Sequence, residues 1–166
     1  MSCSKYLLFT FISVCFSSLN LNAQENPPIP VQVEVSTAQS LNFGAFVVGN
    51  ATGTVSIDSY GFRTPGGSVT LLNMGDPESA ALFDVYANPG TIINITHSDS
   101  FSLSGTSGDE IILKLDSYST GKTFITTQNS DIPNPVTIGG TLYLESNVTN
   151  RPGKYYGTIY VTFNQQ

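Results

Sequence analysis

Few residues in this chain could do acid–base, nucleophilic or metal chemistry, and their spacing assembles no familiar site. His97 is the only histidine. It stands in the run Thr96, His97, Ser98, Asp99, where an apolar–polar alternation ends, and reads as a surface position rather than a general base or metal ligand. No Gly-x-Ser-x-Gly turn occurs to supply it with a nucleophile. Asp109 and Glu110, with Asp76 and Glu78, invite a calcium reading. Calcium requires several converging oxygens, usually alternate acids in one loop. That pattern is missing, so these acids read as turn residues that close Asx-turns. Sequence cannot bring together the two carboxylates that glycoside hydrolysis uses, since they converge only in three dimensions. A glycan-processing enzyme or accessory domain is therefore the alternative reading, with no pair singled out. No catalytic residue, cofactor or metal site is assigned.

The tyrosines offer a different chemistry. If the local alternation holds, Tyr143, Tyr156 and Tyr160 lie on solvent faces. Exposed tyrosines stack on carbohydrate or anchor protein contacts, having large area and little entropy to lose. They also pair across strands and stabilise a sheet, which is the plainer reading. The Asn-x-Thr triplets at Asn50, Asn94 and Asn147 bear on function only in a eukaryotic secretory path.

Cys3 and Cys15 are the only cysteines, and both fall in the first 23 residues. There Lys5 precedes an apolar run over residues 6–16, and the small residue Ala23 precedes Gln24. This is the pattern of a secretory signal peptide at 1–23, too short for the roughly 20 apolar residues of a membrane span. A lipoprotein would use Cys15, but Val14 stands where a small residue is needed. The exported chain from Gln24 onward then has no thiol and no disulfide, and its core alone must hold it. Lys5 aside, the bases are Arg63, Lys114, Lys122, Arg151 and Lys154, set against 12 acidic residues. A chain this acidic, without a basic stripe, repels phosphate backbones, which argues against nucleic-acid binding. No later segment is apolar enough to span a bilayer. The expected location is secreted, cell-surface or periplasmic.

Short runs rich in Val, Ile, Thr, Phe and Tyr follow one another, separated by Gly, Pro, Asn and Ser, with no sustained helical period. Several alternate as half-buried strands do: Val31, Val33 and Val35; Val55 and Ile57; Phe83 and Val85; Ile93 and Ile95; Ile111, Leu113 and Leu115. The last run, residues 155–163, puts Tyr155, Gly157, Ile159, Val161 and Phe163 on one face and predicts one long strand. Turn chemistry appears at Pro65, Gly66 and Gly67; Asn88 to Gly90; Gly105 to Asp109; Thr120 to Lys122; Asn134 and Pro135; and Arg151 to Gly153. The pattern predicts an all-β fold, a single antiparallel immunoglobulin-like or pilin-like β-sandwich of roughly eight to ten strands. Residues 24–30, with three prolines, form a flexible lead-in, and 31–166 form the domain.

Three ordered segments carry a family resemblance. The first is Leu41 to Gly44 with Gly53 to Ile57. The second is Gly61 to Leu71 (Gly-Phe-Arg-Thr-Pro-Gly-Gly-Ser-Val-Thr-Leu) leading to Ala81 to Tyr86. The third is Ile138 to Leu142 with Gly153 to Thr162. Together they resemble domain of unknown function 4402, a family of bacterial secreted proteins. The ending, Gly-x-Tyr-x-Gly-x-Ile-x-Val-Thr, is similar to the C-terminal strand of spore-coat protein U domains and chaperone–usher pilins. In pilins, a groove beside that strand accepts a neighbour's donor strand. The resemblance implies a surface-associated β-sandwich without assigned activity.

The expected function is that of an exported, non-catalytic module, adhesin-like or fimbrial-subunit-like. It would bind a glycan through its tyrosines, or protein through β-strand addition at a sheet edge. Val31, Val33 and Val35 could complete their own sheet or that of a neighbour. The short connection to Leu41 favours their own.

Overall fold

A computed structural model describes residues 39–166 and, by backbone and strand pairing, residues 32–35. The expected signal peptide at 1–23, the expected lead-in at 24–30 and Val31 lie outside the described residues. The strands are β1 (Gln32–Val35), β2 (Ala45–Ile57), β3 (Arg63–Leu72), β4 (Ala81–Tyr86), β5 (Ile92–His97), β6 (Phe101–Gly105), β7 (Glu110–Tyr118), β8 (Thr123–Ile125), β9 (Asn134–Leu144), β10 (Tyr155–Tyr156) and β11 (Val161–Gln165). Every pairing is antiparallel, in one sheet ordered β1-β4-β9-β7-β6-β10, which also takes in β2 and β3, and a second ordered β11-β5-β8. The fold is an all-β sandwich. No helix among the described residues is long and apolar enough to cross a membrane.

Period-two patterning places the core between the sheets. Ile111, Leu113 and Leu115 are buried while Ile112, Lys114 and Asp116 between them are exposed. Val55, Ile57, Phe83, Val85, Ile93 and Ile95 also point inward and are buried, each contributing about 1.5–3 kcal/mol. Phe83 of the large sheet meets Phe163 of the small one with ring centroids 5.4 Å apart. Gln32–Val35 pairs with β4, Val33 opposite Val85 and Val35 opposite Phe83. The segment thus joins its own chain's sheet.

Strand β9 is the spine of the large sheet. One side pairs with β7. The other pairs with β4 over residues 134–138 and with β2 over residues 140–144. Gly139 and Gly140 mark the changeover, facing a bulge in β7 between Leu115 and Ser117. A Cβ on Gly139 would overlap the Ile57 carbonyl oxygen, and one on Gly140 would come within 2.5 Å of the Lys114 carbonyl oxygen. Only glycine lets three strands close on this point.

The β2–β3 ribbon departs from the sequence reading. Pro65, Gly66 and Gly67 are not a turn; they lie inside β3, opposite Val55, Thr54 and Gly53. The reversal comes earlier, at residues 58–62, and the ribbon's register breaks between Val48 and Gly53. There the ribbon folds back on itself. Arg63, at the start of β3, donates to the Leu72 carbonyl at its end, at 3.1 Å. A straight ten-residue strand would separate those residues by roughly 30 Å, far beyond one side chain. Gly67, with φ at 62°, would bring a Cβ within 2.6 Å of the Thr52 carbonyl oxygen, so the tightest part of the fold needs glycine.

Asn134 and Pro135 likewise open β9 rather than form a turn. The single long strand expected over residues 155–163 is two strands. β10 pairs with β6 in the large sheet, and β11 pairs with β5 in the small one. The alternation survives the crossover: Tyr156, Thr158, Tyr160 and Thr162 are exposed, and Phe163 is buried. Inward–outward patterning continues along a chain that changes sheets, so it cannot reveal the change.

Candidate functional site

Folding the ribbon back gives β2 two different environments. Its residues 53–57 lie between β3 and β9, while residues 45–48 pair with β3 alone. Among the described residues no strand lies along the other edge of 45–48, so it presents main-chain groups to a gap. The gap is a groove of about 780 Å³. Residues 42–48 form one wall and residues 150–156 the other, with Leu103, Ile111 and Leu142 beneath. Ile111 and Leu142 belong to the buried core, so the floor is apolar and continuous with it.

Both walls are held firmly. On the β2 side, Arg63 Nη1 donates to the Phe43 and Ala45 carbonyls at 2.9 and 3.1 Å, and Asn42 Oδ1 accepts from the Gly44 amide at 3.0 Å. The Arg63 side chain is 4% exposed, with Glu78 3.8 Å away. On the other side, Asn150 accepts from the Glu145 amide at 2.6 Å and donates to the Glu110 carbonyl at 2.9 Å. Arg151 grips the Asp109 carboxylate through Nε and Nη2 and also donates to the Ser107 carbonyl at 2.7 Å. The Tyr155 hydroxyl donates to the Arg151 carbonyl at 2.7 Å; burial, then the charge on Asp109, raises its pKa.

The Arg151 hydrogen bond is the main reason the Asp109 carboxyl titrates below its ordinary 3.8. A depressed carboxylate favours the folded wall above the ordinary pKa and loses that contribution as pH falls through the lowered value. A carbon-detected NMR titration is therefore expected to place the Asp109 midpoint below 3.8, and Arg151→Ala is expected to move it upward. An unchanged midpoint in the variant would count against the clamp.

The tyrosines singled out from the sequence are exposed, at 45% for Tyr143, 64% for Tyr156 and 76% for Tyr160, but they do not share a platform. Tyr143 lies on the outer face of the large sheet, opposite Thr54 and Ile112, with Lys114 Nζ 5.1 Å from its ring centroid. Tyr156 is three strands away, at the groove rim. Tyr160 stands on the crossover between β10 and β11. Val33 and Val35 sit on β1, paired to β4.

His97 ends β5 and joins the sheets. Its Nδ1 lies 2.7 Å from the Ser98 carbonyl oxygen and its Nε2 lies 2.5 Å from the Tyr118 hydroxyl. Tyr118 in turn donates to the Leu115 carbonyl at 2.9 Å. Both ring nitrogens thus face structural partners. Among the described residues, no three His, Cys, Asp or Glu side chains gather as a metal site would need.

Sequence reading missed the groove because it depends on the fold-back, which no local pattern announces. The glycines at 49, 53, 66 and 67 are the available signal. The family model for a domain of unknown function, DUF4402, matches residues 33–164. The chain belongs to this family. The match takes in β2, β3 and β10, and so every residue that lines the groove. No curated protein and no solved structure matches the chain.

Proposed function

We propose that this protein is an exported, non-catalytic sandwich module, fimbrial-subunit-like, that binds a protein partner by accepting an extended strand in the groove beside β2. One observation carries the reading: the unpaired edge of residues 45–48 borders an apolar floor built from Leu103, Ile111 and Leu142. An incoming strand would bond to the edge through its main chain and turn every second side chain onto the floor, so affinity and selectivity have separate sources. A groove of this volume could also take a small molecule. The strand is the better occupant, because an open β edge bonds best to another extended backbone. The edges of β3, β8 and β11 that are unpaired among the described residues contribute no residue to this groove.

Selection from a randomised 12-residue peptide library tests the reading. Enriched peptides are expected to alternate apolar and polar residues. Leu103→Gln, a half-buried floor position, is expected to weaken them at least tenfold, or about 1.4 kcal/mol, with the melting temperature kept as a fold control. Enrichment without alternation, or affinity unchanged by Leu103→Gln in a folded variant, would contradict strand addition.

A further inference from the structure

The reversal between β2 and β3 presents an arrangement unrelated to the groove. Tyr60 and Phe62 are 81% and 73% exposed, yet the turn that carries them is tightly fixed. Asp58 Oδ1 accepts from the amides of both Tyr60 and Phe62, each at 2.9 Å. The Asp58 amide donates to the Phe62 carbonyl at 3.1 Å, and the Gly61 amide donates to the Asp58 carbonyl at 3.0 Å. Gly61 takes φ of 88°, a conformation open to glycine at little cost. Ser59 is buried beneath the turn: its amide donates to Ser117 Oγ at 2.8 Å, and its carbonyl accepts from Thr137 Oγ1 at 2.6 Å. Two aromatic side chains therefore stand in solvent on a backbone that has little ordering left to lose on binding.

We propose that this turn is a carbohydrate-binding site for a neutral oligosaccharide, with Tyr60 and Phe62 as its stacking surfaces. The chemistry around the rings selects the ligand class. Asp58 uses one carboxylate oxygen to hold the turn, leaving Oδ2 to accept from a sugar hydroxyl. Ser119, just past the end of β7, accepts from the Thr137 amide of β9 at 2.9 Å and brings a further hydroxyl to this end of the sheet. The nearest base in sequence, Arg63, is turned into the fold with 4% of its side chain exposed, so nothing in the turn recommends an anionic ligand. Among the described residues no aromatic ring pairs with Tyr60 or Phe62, so the turn builds no cage of the kind an ammonium ligand needs. Fully covered, two aromatic side chains offer roughly 300–500 Å², short of the roughly 800 Å² per partner that a standard protein interface buries. The apolar face of one or two sugar rings is of matching size.

The test uses the full exported domain and four soluble probes: cellohexaose, xylohexaose, mannohexaose and chitohexaose, each titrated into 15N-labelled protein. At least one is expected to give saturable shifts at the amides of Tyr60, Gly61 and Phe62. Tyr60→Ala combined with Phe62→Ala is expected to weaken that binding at least tenfold. Tyr156→Ala, at the groove rim, is expected to leave it unchanged. Because both replaced rings are exposed, the double variant is expected to melt with the parent, and the melting temperature checks this. Three results would overturn the proposal: no saturable shift with any of the four, equal affinity in the double variant, or a double variant altered only in self-association, which would make the turn a protein contact. None of these bears on the groove.

Discussion

Replacing Arg63 with methionine is expected to cost about 3–5 kcal/mol of unfolding free energy, a large share of the roughly 5–15 kcal/mol that holds a domain of this kind. The Arg63 guanidinium is buried and, reaching from the turn end of the ribbon, donates to three carbonyls at its open end, those of Phe43, Ala45 and Leu72. Without it, those acceptors lose their donor, at about 1–3 kcal/mol for each that stays buried. The planar fork of arginine can span the three sites, whereas the compact lysine ammonium cannot, so Arg63→Lys is expected to recover only part of the loss. Glu78, 3.8 Å away and 39% exposed, contributes little, as partly solvated pairs do, so Glu78→Ala is expected to cost under about 1 kcal/mol. Urea unfolding measures all three. If Arg63→Met costs no more than Glu78→Ala, then Arg63 does not hold the ribbon folded.

Gly139→Ala is expected to be nearly as damaging, at about 3 kcal/mol or more, the upper end of overpacking effects. The new methyl would overlap the Ile57 carbonyl oxygen and come within 2.7 and 2.8 Å of the Asp58 carbonyl carbon and oxygen. These are backbone atoms, so no side chain can rotate aside; β2 would have to separate from β9. The same change at Gly90, where a Cβ meets nothing within 4 Å, would carry only the strain of its positive φ. Thermal unfolding of the two variants is expected to rank Gly139→Ala well below Gly90→Ala. The reverse order would contradict the close approach at the β9 changeover.

How much of this was legible in the sequence depends on the range of each interaction. Inward residues such as Val55, Ile57, Leu113 and Phe163 were readable because alternation is local to a strand. The turns at Gly90, Gly108 and Gly121 were readable because positive φ selects glycine there. Pro65, Gly66 and Gly67 have turn chemistry but fold a paired ribbon, since a glycine that permits close approach looks the same as one that permits a turn. The split of residues 155–163 was invisible because alternation continues through the crossover. Leu103, Ile111 and Leu142 read as ordinary core residues. Only the absence of a strand above them among the described residues makes them a floor, and an absence leaves no local mark. Asp58, Tyr60, Gly61 and Phe62 did carry a local signal, an Asx-turn around a glycine with two flanking aromatics, which the search for alternation passed over.

The groove is tested most directly by mapping where a bound strand lies. An alternating peptide taken from the library selection, titrated into 15N-labelled protein, is expected to bind with one-to-one stoichiometry. Intermolecular NOEs should connect its backbone to residues 45–48 and its alternate side chains to Leu103, Ile111 and Leu142. The amides at the β2 edge should gain protection from hydrogen exchange. Contacts that map instead to β3, to β11 or to the outer face of the large sheet, with the amides of 45–48 unchanged, would contradict strand addition at the groove.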